Sequence, residues 1–350
     1  MTASATTPKF RGTRGERRRI LIERIGAISL TFVAIIWIAA NLIKAPQQFA
    51  QVALFGLRNG LLYALIALGY TLVYGIIELI NFAHGDLFML GAVFSSFFIT
   101  VWFKQEESNL SGWITFGACL ISVMALGAIT NVLIERLAYR RLRHAPKLAP
   151  LITAVGVSFT LNFIGLKWNG STPKQWPTVI PHGDVYLGGV RISMVTIILV
   201  LIVIPLLLAL NFVVTKTKQG KAMRATAQDK DASALMGINV NKTIAFTFAL
   251  GGALAGAAGL LYQQSIGTTS YNLGFQLGLI AFTSAVLGGI GNLWGAVLGA
   301  LLIGLIQGLN DGLPIAFGQQ WSQSVVFTIL IVILVFKPAG LLGKATTEKV

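Results

Sequence analysis

The chain has 350 residues, of which 55% are hydrophobic and only 11% charged, and its mean hydropathy is +0.75. A soluble domain carries roughly a quarter charged residues, so this composition excludes a soluble globular protein and implies a polytopic membrane protein with no large soluble domain. The net charge of +15 does not indicate nucleic acid, because the cations flank apolar segments instead of forming one basic face.

Residues 1–24 form a basic segment with seven cations against Glu16 and Glu23. The apolar run that follows, Ile25–Ile43, is long enough to span and has no small-residue cleavage pattern after it, so it reads as a retained signal-anchor helix. Nine further spans are predicted at about Leu54–Ile76, Leu87–Phe103, Trp113–Ile134, Leu151–Leu166, Ile192–Phe212, Thr243–Tyr262, Leu277–Ile290, Leu293–Leu309 and Ser322–Phe336. A tight turn at Gly288–Gly291 must separate two of them. The resulting division is a basic cytoplasmic segment (1–24), a transmembrane domain (25–336) and a cytoplasmic tail (337–350). With the N-terminus inside, 21 of the 27 Lys and Arg fall on the inner side and 6 on the outer, among them Lys44, Arg58 and Arg191. That asymmetry predicts both termini in the cytoplasm.

Between the second and third runs stands Glu78-Leu-Ile-Asn-Phe-Ala-His-Gly-Asp86. Ionisable groups near a membrane interior are costly and usually face a cavity or a partner. Asn81 can cap the next helix and Gly85 allows a bend, so Asn81, His84, Gly85 and Asp86 are candidates for the translocation pathway. The competing reading is a cytoplasmic turn whose charges sit in water. The outer connection Lys167–Arg191, with Pro173, Pro177, Pro181, Trp168 and Trp176, reads as an irregular loop, either part of a gate or a passive connector. Glycines recur every four residues at Gly252 and Gly256, at Gly291, Gly295 and Gly299, and at Gly304 and Gly308, the pattern of close helix packing.

The one long polar interval in the second half is Lys216–Lys242. Between Gly220 and Gly237 it is rich in Ala, Met, Gln, Lys and Arg, and it predicts a short cytoplasmic helix. Its alanines keep it slim, Leu235 and Met236 offer an apolar anchor, Arg224 and Asp231 can orient it, and Gly237 can end it left-handed. It is either a surface that docks on another protein or a plain connector.

No soluble-enzyme constellation is present. His84, His144 and His182 lack metal-ligand spacing, and the single Cys119 precludes a disulfide framework. Neither Gly220-Lys221 nor Gly343-Lys344 has the flanking residues of a phosphate-cradling loop. No catalytic residue, metal site or bound cofactor is expected, and energy must come from a partner or an ion gradient.

Three stretches carry a resemblance. GLRNGLLYALIALGYTLVYGIIELINFAHGDLFMLGA (Gly56–Ala92) resembles the opening of the high-affinity branched-chain amino acid permeases of bacterial ABC importers. IERLAYRRLRHAPKLAPLITAVGVSF (Ile134–Phe159) is similar to their first cytoplasmic loop and next helix. GKAMRATAQDKDASALMGINVNKTIAFTFALGGALAGAAGLLY (Gly220–Tyr262) is similar to their coupling loop and following span. The likeness covers roughly Leu54–Phe336, and the N-terminal segment is longer than the family core.

The resemblance implies an all-α, type II ABC importer-like bundle of about ten transmembrane helices in the bacterial inner membrane. It implies a second, homologous permease subunit, two cytoplasmic ATPases that carry the ATP, and an external substrate-binding protein. It also implies that Lys221–Gly237 is the coupling helix, with Lys221, Arg224, Asp231, Leu235, Met236 and Gly237 at the ATPase. Related members include permeases for urea and short amides. Two alternatives remain. An ion-gradient-driven transporter or channel would use Glu78, His84 and Asp86 as its relay. A structural scaffold would not need the polar break at Asn81–Asp86.

Overall fold

The computed structural model describes residues 29, 32, 33, 35–79, 81–105, 108–143, 145, 146, 148–177, 179–181 and 183–343. The readings made of the basic segment 1–24, the first part of the run Ile25–Ile43, His144, His182 and residues 344–350 lie outside the described residues.

The described chain is an all-α bundle. Eight helices are long and apolar enough to cross a membrane. They are α2 (Pro46–Ile77), α3 (His84–Phe97, continued by a π-helical turn to Trp102), α4 (Leu110–Ile134, continued to Leu142), α5 (Leu148–Asn169), α6 (Met194–Lys216), α9 (Val240–Ile266), α11 (Leu293–Gly312) and α12 (Ser322–Phe336, preceded by a single turn from Gln319). Two shorter apolar helices, α1 (Ile35–Lys44) and α10 (Leu273–Gly288), complete the ten predicted runs. Five of the long helices start where the polar punctuation stands. Pro46 begins α2 in its first turn, where its missing N–H costs nothing. Asn109, Ser193, Asn239 and Asn292 accept a backbone N–H with their side chains at the starts of α4, α6, α9 and α11.

Burial sorts these helices into two layers. α2, α3 and α9 form the centre, whereas α4, α5, α6 and α12 leave most of their apolar residues on the outside. Ile121, Phe159, Phe163, Leu201, Ile331 and Val335 are each more than half exposed. A surface of that kind is at home against lipid tails, where helix association rests on close packing instead of apolar burial.

The glycine rows make that packing. On Gly304 a Cβ would stand 2.4 Å from the backbone N of Gly60 and 2.5 Å from the carbonyl O of Gly56. Gly308 meets Gly56 and Val52, so α11 and α2 run antiparallel in backbone contact. Gly252 and Gly256 meet Gly127 and Val123 of α4, and Gly295 and Gly299 meet the end of α10. Gly291, by contrast, belongs to the tight turn between α10 and α11, with φ +89° and open space around it.

The alternation of helices leaves two ends. At one, which we call outer, β1 (Lys174–Gln175) pairs with β4 (Thr268–Thr269), Gln51 exchanges hydrogen bonds with the backbone of Arg191, and Gln48 reaches the carbonyl of Gly312. At the other, which we call inner, Asn131 and Arg143 bond to Phe248 and Asn241 of α9, Asn81 joins them through Asn131 and Tyr139, and Leu341 and Leu342 tie residues 337–343 to the end of α10.

Three sequence readings change. Span two begins at Pro46, eight residues before Leu54, because the polar Gln48 and Gln51 find partners at the outer end. Arg58, counted with the outer cations although it follows the predicted span start at Leu54, lies well inside α2. It is buried, with its guanidinium carbon 3.9 Å from the centroid of the Phe55 ring. The outer loop is not wholly irregular: besides β1 it holds the hairpin β2 (Asp184–Leu187) and β3 (Val190–Ser193), closed by an Arg191–Asp184 ion pair at 2.8 Å. Residues 337–343, the described part of the segment read as the C-terminal tail, are tied to the end of α10.

Candidate functional site

The break between α2 and α3 sits at the inner end. Helix α2 stops at Glu78, which adopts φ +57°, a costly conformation for a residue with a side chain. Glu78 is exposed, but Asn81, His84 and Asp86 are 2%, 0% and 1% exposed. The solvated-turn reading therefore fails for these three side chains. Helix α3 begins at His84, so His84, Gly85 and Asp86 occupy its first turn and not a connecting loop. Asn81 does not cap it. The flanking residue is Ala83, and the Asn81 side chain turns to α4 instead.

There Asn81 Oδ1 accepts from the Tyr139 hydroxyl at 2.9 Å, and Asn81 Nδ2 faces Asn131 Oδ1 at 3.4 Å. Asn131 Nδ2 in turn donates to the carbonyl of Phe248 on α9 at 2.7 Å. Asn131 and Tyr139 are both buried. This chain of hydrogen bonds joins the break to α4 and α9. Unmaking one bond strands a buried polar group, at about 1–3 kcal/mol each, so the three elements are held as a unit. Asn81 also lines a small cavity with Tyr70, Tyr74, Leu79, Phe282, Ala285 and Ile290.

His84 and Asp86 point into the bundle. The His84 ring packs edge-on to Tyr70 at a centroid distance of 4.8 Å. It occupies space that a Cβ on Gly69 would take, 2.1 Å from Nε2. Asp86 Oδ2 accepts from Ser158 of α5 at 2.5 Å, and its other oxygen lies beside Gly274 of α10. Gly85 allows α3 and α10 to touch: a Cβ there would be 2.3 Å from the carbonyl O of Gly274. All three residues thus lie where α2, α3, α5 and α10 converge.

Below this cluster α4 ends in a π-helical turn, Glu135–Tyr139. Glu135 is fully buried. It accepts from Arg140 at 3.2 and 2.9 Å and from Arg143, which also donates to Asn241 of α9 at 2.6 Å. Burial pulls the pKa of Arg143 below the ordinary arginine value, and Glu135 opposes that shift. Sequence reasoning did not single out Asn131, Glu135, Tyr139 or Ser158. The legible signal was Asn131 as the one amide side chain of its span, and Glu135 as the acid that opens a run of arginines.

The second candidate lies between α6 and α9, at the same end. The predicted single helix is two: α7 (Lys218–Gln228) and α8 (Lys230–Leu235). Asp229 breaks the run because its side chain accepts from the N–H groups of Asp231 and Ala232, both at 2.9 Å, and so caps α8. Asp231 occupies the first turn of α8 and Lys221 the exposed side of α7. Arg224 turns back on its own chain and donates to the Val214 carbonyl. Gly237 has φ +82°. Its N–H bonds to the Ala234 carbonyl, and the Ile238 N–H bonds to that of Ser233. That pair of bonds defines a Schellman turn, which requires a left-handed residue at this position. Leu235 and Met236, 89% and 83% exposed, project from the tip. Among the described residues none covers them.

Among the described residues no group of three His, Cys, Asp or Glu could hold a metal ion.

Residues 52–335 match the family model described as "Branched-chain amino acid transport system / permease component". The chain is 39% identical over 309 residues to the high-affinity branched-chain amino acid transport system permease protein BraD of Pseudomonas aeruginosa, covering 87% of this chain and 98% of that protein. It is 35% identical over 309 residues to the corresponding permease protein LivH of Escherichia coli, covering 86% and 98%. It is 30% identical over 290 residues to the probable branched-chain amino acid transport permease protein LivH of Methanocaldococcus jannaschii, covering 81% and 89%. No solved structure matches the chain.

Proposed function

The chain belongs to the branched-chain amino acid transport permease family, and from that premise we propose that it is the membrane-spanning subunit of an ATP-driven importer that carries branched-chain amino acids inward. Its partners are two cytoplasmic ABC ATPases, a homologous second permease subunit and an extracytoplasmic binding protein. The protein resides in the bacterial inner membrane, and both termini are cytoplasmic. The cation asymmetry supports that orientation, because the cation-rich end of the bundle is the end that carries α7 and α8.

The observation that carries the reading is the tip of α8. Two bare apolar side chains stand on a capped, short helix that joins α6 to α9 through tight turns. An ATPase groove that receives Leu235 and Met236 would move α8, and α9 moves with it. The inner cluster hangs on α9 through Phe248 and Asn241. A push on α8 therefore reaches Asn131, Tyr139 and Asn81 by contact, and it can switch the inner mouth between two states. His84, Gly85 and Asp86 border that mouth in this reading. ATP stays on the ATPases, and this chain performs no covalent chemistry.

The test is uptake of radiolabelled leucine into proteoliposomes that contain the permease pair and its ATPases, with the binding protein added outside. Uptake must require ATP inside and survive collapse of ion gradients. Leu235→Asp and Gly237→Val should each abolish coupled uptake while the permease remains in the membrane. Gradient-driven uptake without ATP would overturn the proposal in favour of a secondary transporter using His84 and Asp86. Normal coupling in both variants would reduce α8 to a connector.

A further inference from the structure

A cleft of about 540 Å³ opens at the inner end between the last turns of α4 and the first turn of α9. It is lined by Arg136, Arg140, Asn239, Asn241, Lys242 and Ala245. Three of these six side chains are cations and none is an acid. Arg140 shares Glu135 with Arg143, so a single carboxylate faces two guanidinium groups. Arg136 and Lys242 form no ion pair among the described residues. The cleft is thus a positively charged recess with unspent hydrogen-bond donors.

Its depth identifies the occupant. From Leu110 to Leu142 helix α4 has 33 residues. At 1.5 Å per residue that is roughly 50 Å, against a hydrocarbon core of about 30 Å, so the turn bearing Arg136 and Arg140 emerges at headgroup level. The same helix carries a row of bare apolar side chains on that turn and the turns before it: Ile121, Ile129, Leu133 and Leu137, 72%, 60%, 48% and 70% exposed. A water-soluble anion has no use for such a row. A phospholipid uses both parts.

We propose that this cleft seats the phosphate of an anionic phospholipid, with an acyl chain along the α4 row. The Arg136 fork can bind two phosphate oxygens as a pair, Arg140 offers the nitrogen that Glu135 does not engage, and Lys242 adds a point charge. The lipid bridges the end of α4 and the start of α9, the seam that Arg143 and Asn241 also close.

Native mass spectrometry of the full-length permease tests this, with phosphatidylglycerol or phosphatidylcholine of identical acyl chains added in detergent. Phosphatidylglycerol should be retained in preference to phosphatidylcholine. Each neutralised cation should weaken retention about five-fold, so Arg136→Gln with Lys242→Gln should lose roughly 25-fold. Lys216→Gln, an exposed cation outside the cleft, should retain the lipid. Ala245→Trp fills the cleft without removing charge and should also lose it. Equal retention of the two lipids, or unchanged retention in the double variant, overturns the proposal. Displacement by millimolar inorganic phosphate would make it a site for the free anion. Loss of ATPase co-purification with lipid retention intact would make it a protein-docking surface.

Discussion

Replacing Glu135 by Ala removes a carboxylate with no exposed surface, and the consequences for its two arginine partners are unequal. The Arg140 side chain is 36% exposed, so water can take over its donors, and an exposed pair of this kind contributes about 0–1 kcal/mol. The Arg143 side chain is only 13% exposed. Leaving a buried charge without its partner costs about 3–5 kcal/mol. Arg143 keeps Asn241 as a second acceptor, which sets the expectation at the lower end, about 3 kcal/mol.

With an unfolding entropy of about 2.1 cal/mol/K per residue over the 350-residue chain, that loss lowers Tm by roughly 4 °C. The protein supplies its own reporter. Cys119 is the single cysteine and is fully buried, so a thiol-reactive fluorogenic dye reads the unfolding of α4 directly. Glu135→Ala should show the large shift, Glu135→Gln a smaller one because an acceptor remains, and Arg140→Gln about 1 °C or less. If Arg140→Gln costs as much as Glu135→Ala, or if Glu135→Ala shifts Tm by less than about 1 °C, the buried pair does not organise this end of α4.

Three further outcomes follow from the geometry. Gly304→Ala places a Cβ within 2.5 Å of backbone atoms of Gly56 and Gly60, and neither backbone can yield. It should cost about 3 kcal/mol or more and reduce the monodisperse yield sharply, whereas Gly117→Ala, which meets nothing within 4 Å, should be neutral or stabilising. His84→Ala and Asp86→Ala should depress leucine uptake with near-normal membrane levels, since each empties a site where α3 meets other helices; wild-type uptake by both would remove them from the pathway. In intact cells a membrane-impermeant maleimide should label Gln175→Cys in the outer loop and not Leu235→Cys, with Cys119 silent in both; the reverse pattern would invert the topology.

Ten helices were legible because hydropathy is a local property that a span cannot avoid. The boundaries were not. Pro46 extends α2 outward because Gln48 and Gln51 find partners more than a hundred residues away. Asn81 was read as a cap because caps are the commonest use of Asn before a helix. It turned instead to Tyr139, 58 positions on, and spacing along the chain carries no trace of that partner. The break of the Lys216–Lys242 segment at Asp229 was in principle readable, since an Asp three residues before a short alanine-rich stretch is a capping signal; the continuous polar composition concealed it.

Composition and order alone determined that this chain spans a membrane, which end is rich in cations, and that a polar segment ending at Gly237 stands between two spans. Those facts depend on transfer free energies and backbone conformations that belong to single residues or short runs. Only the tertiary structure decided which polar groups are shielded and which are bare. Glu78 and Asp86 lie eight residues apart in one polar stretch, yet Glu78 faces solvent and Asp86 is sealed by Ser158 and Gly274. Leu235 and Met236 were read from the sequence as an apolar anchor, but their composition does not say what covers them, and the fold leaves them among the barest apolar side chains described. Burial is decided by what other helices bring to a position, and in this bundle that depends on glycine contacts between elements as far apart as α2 and α11.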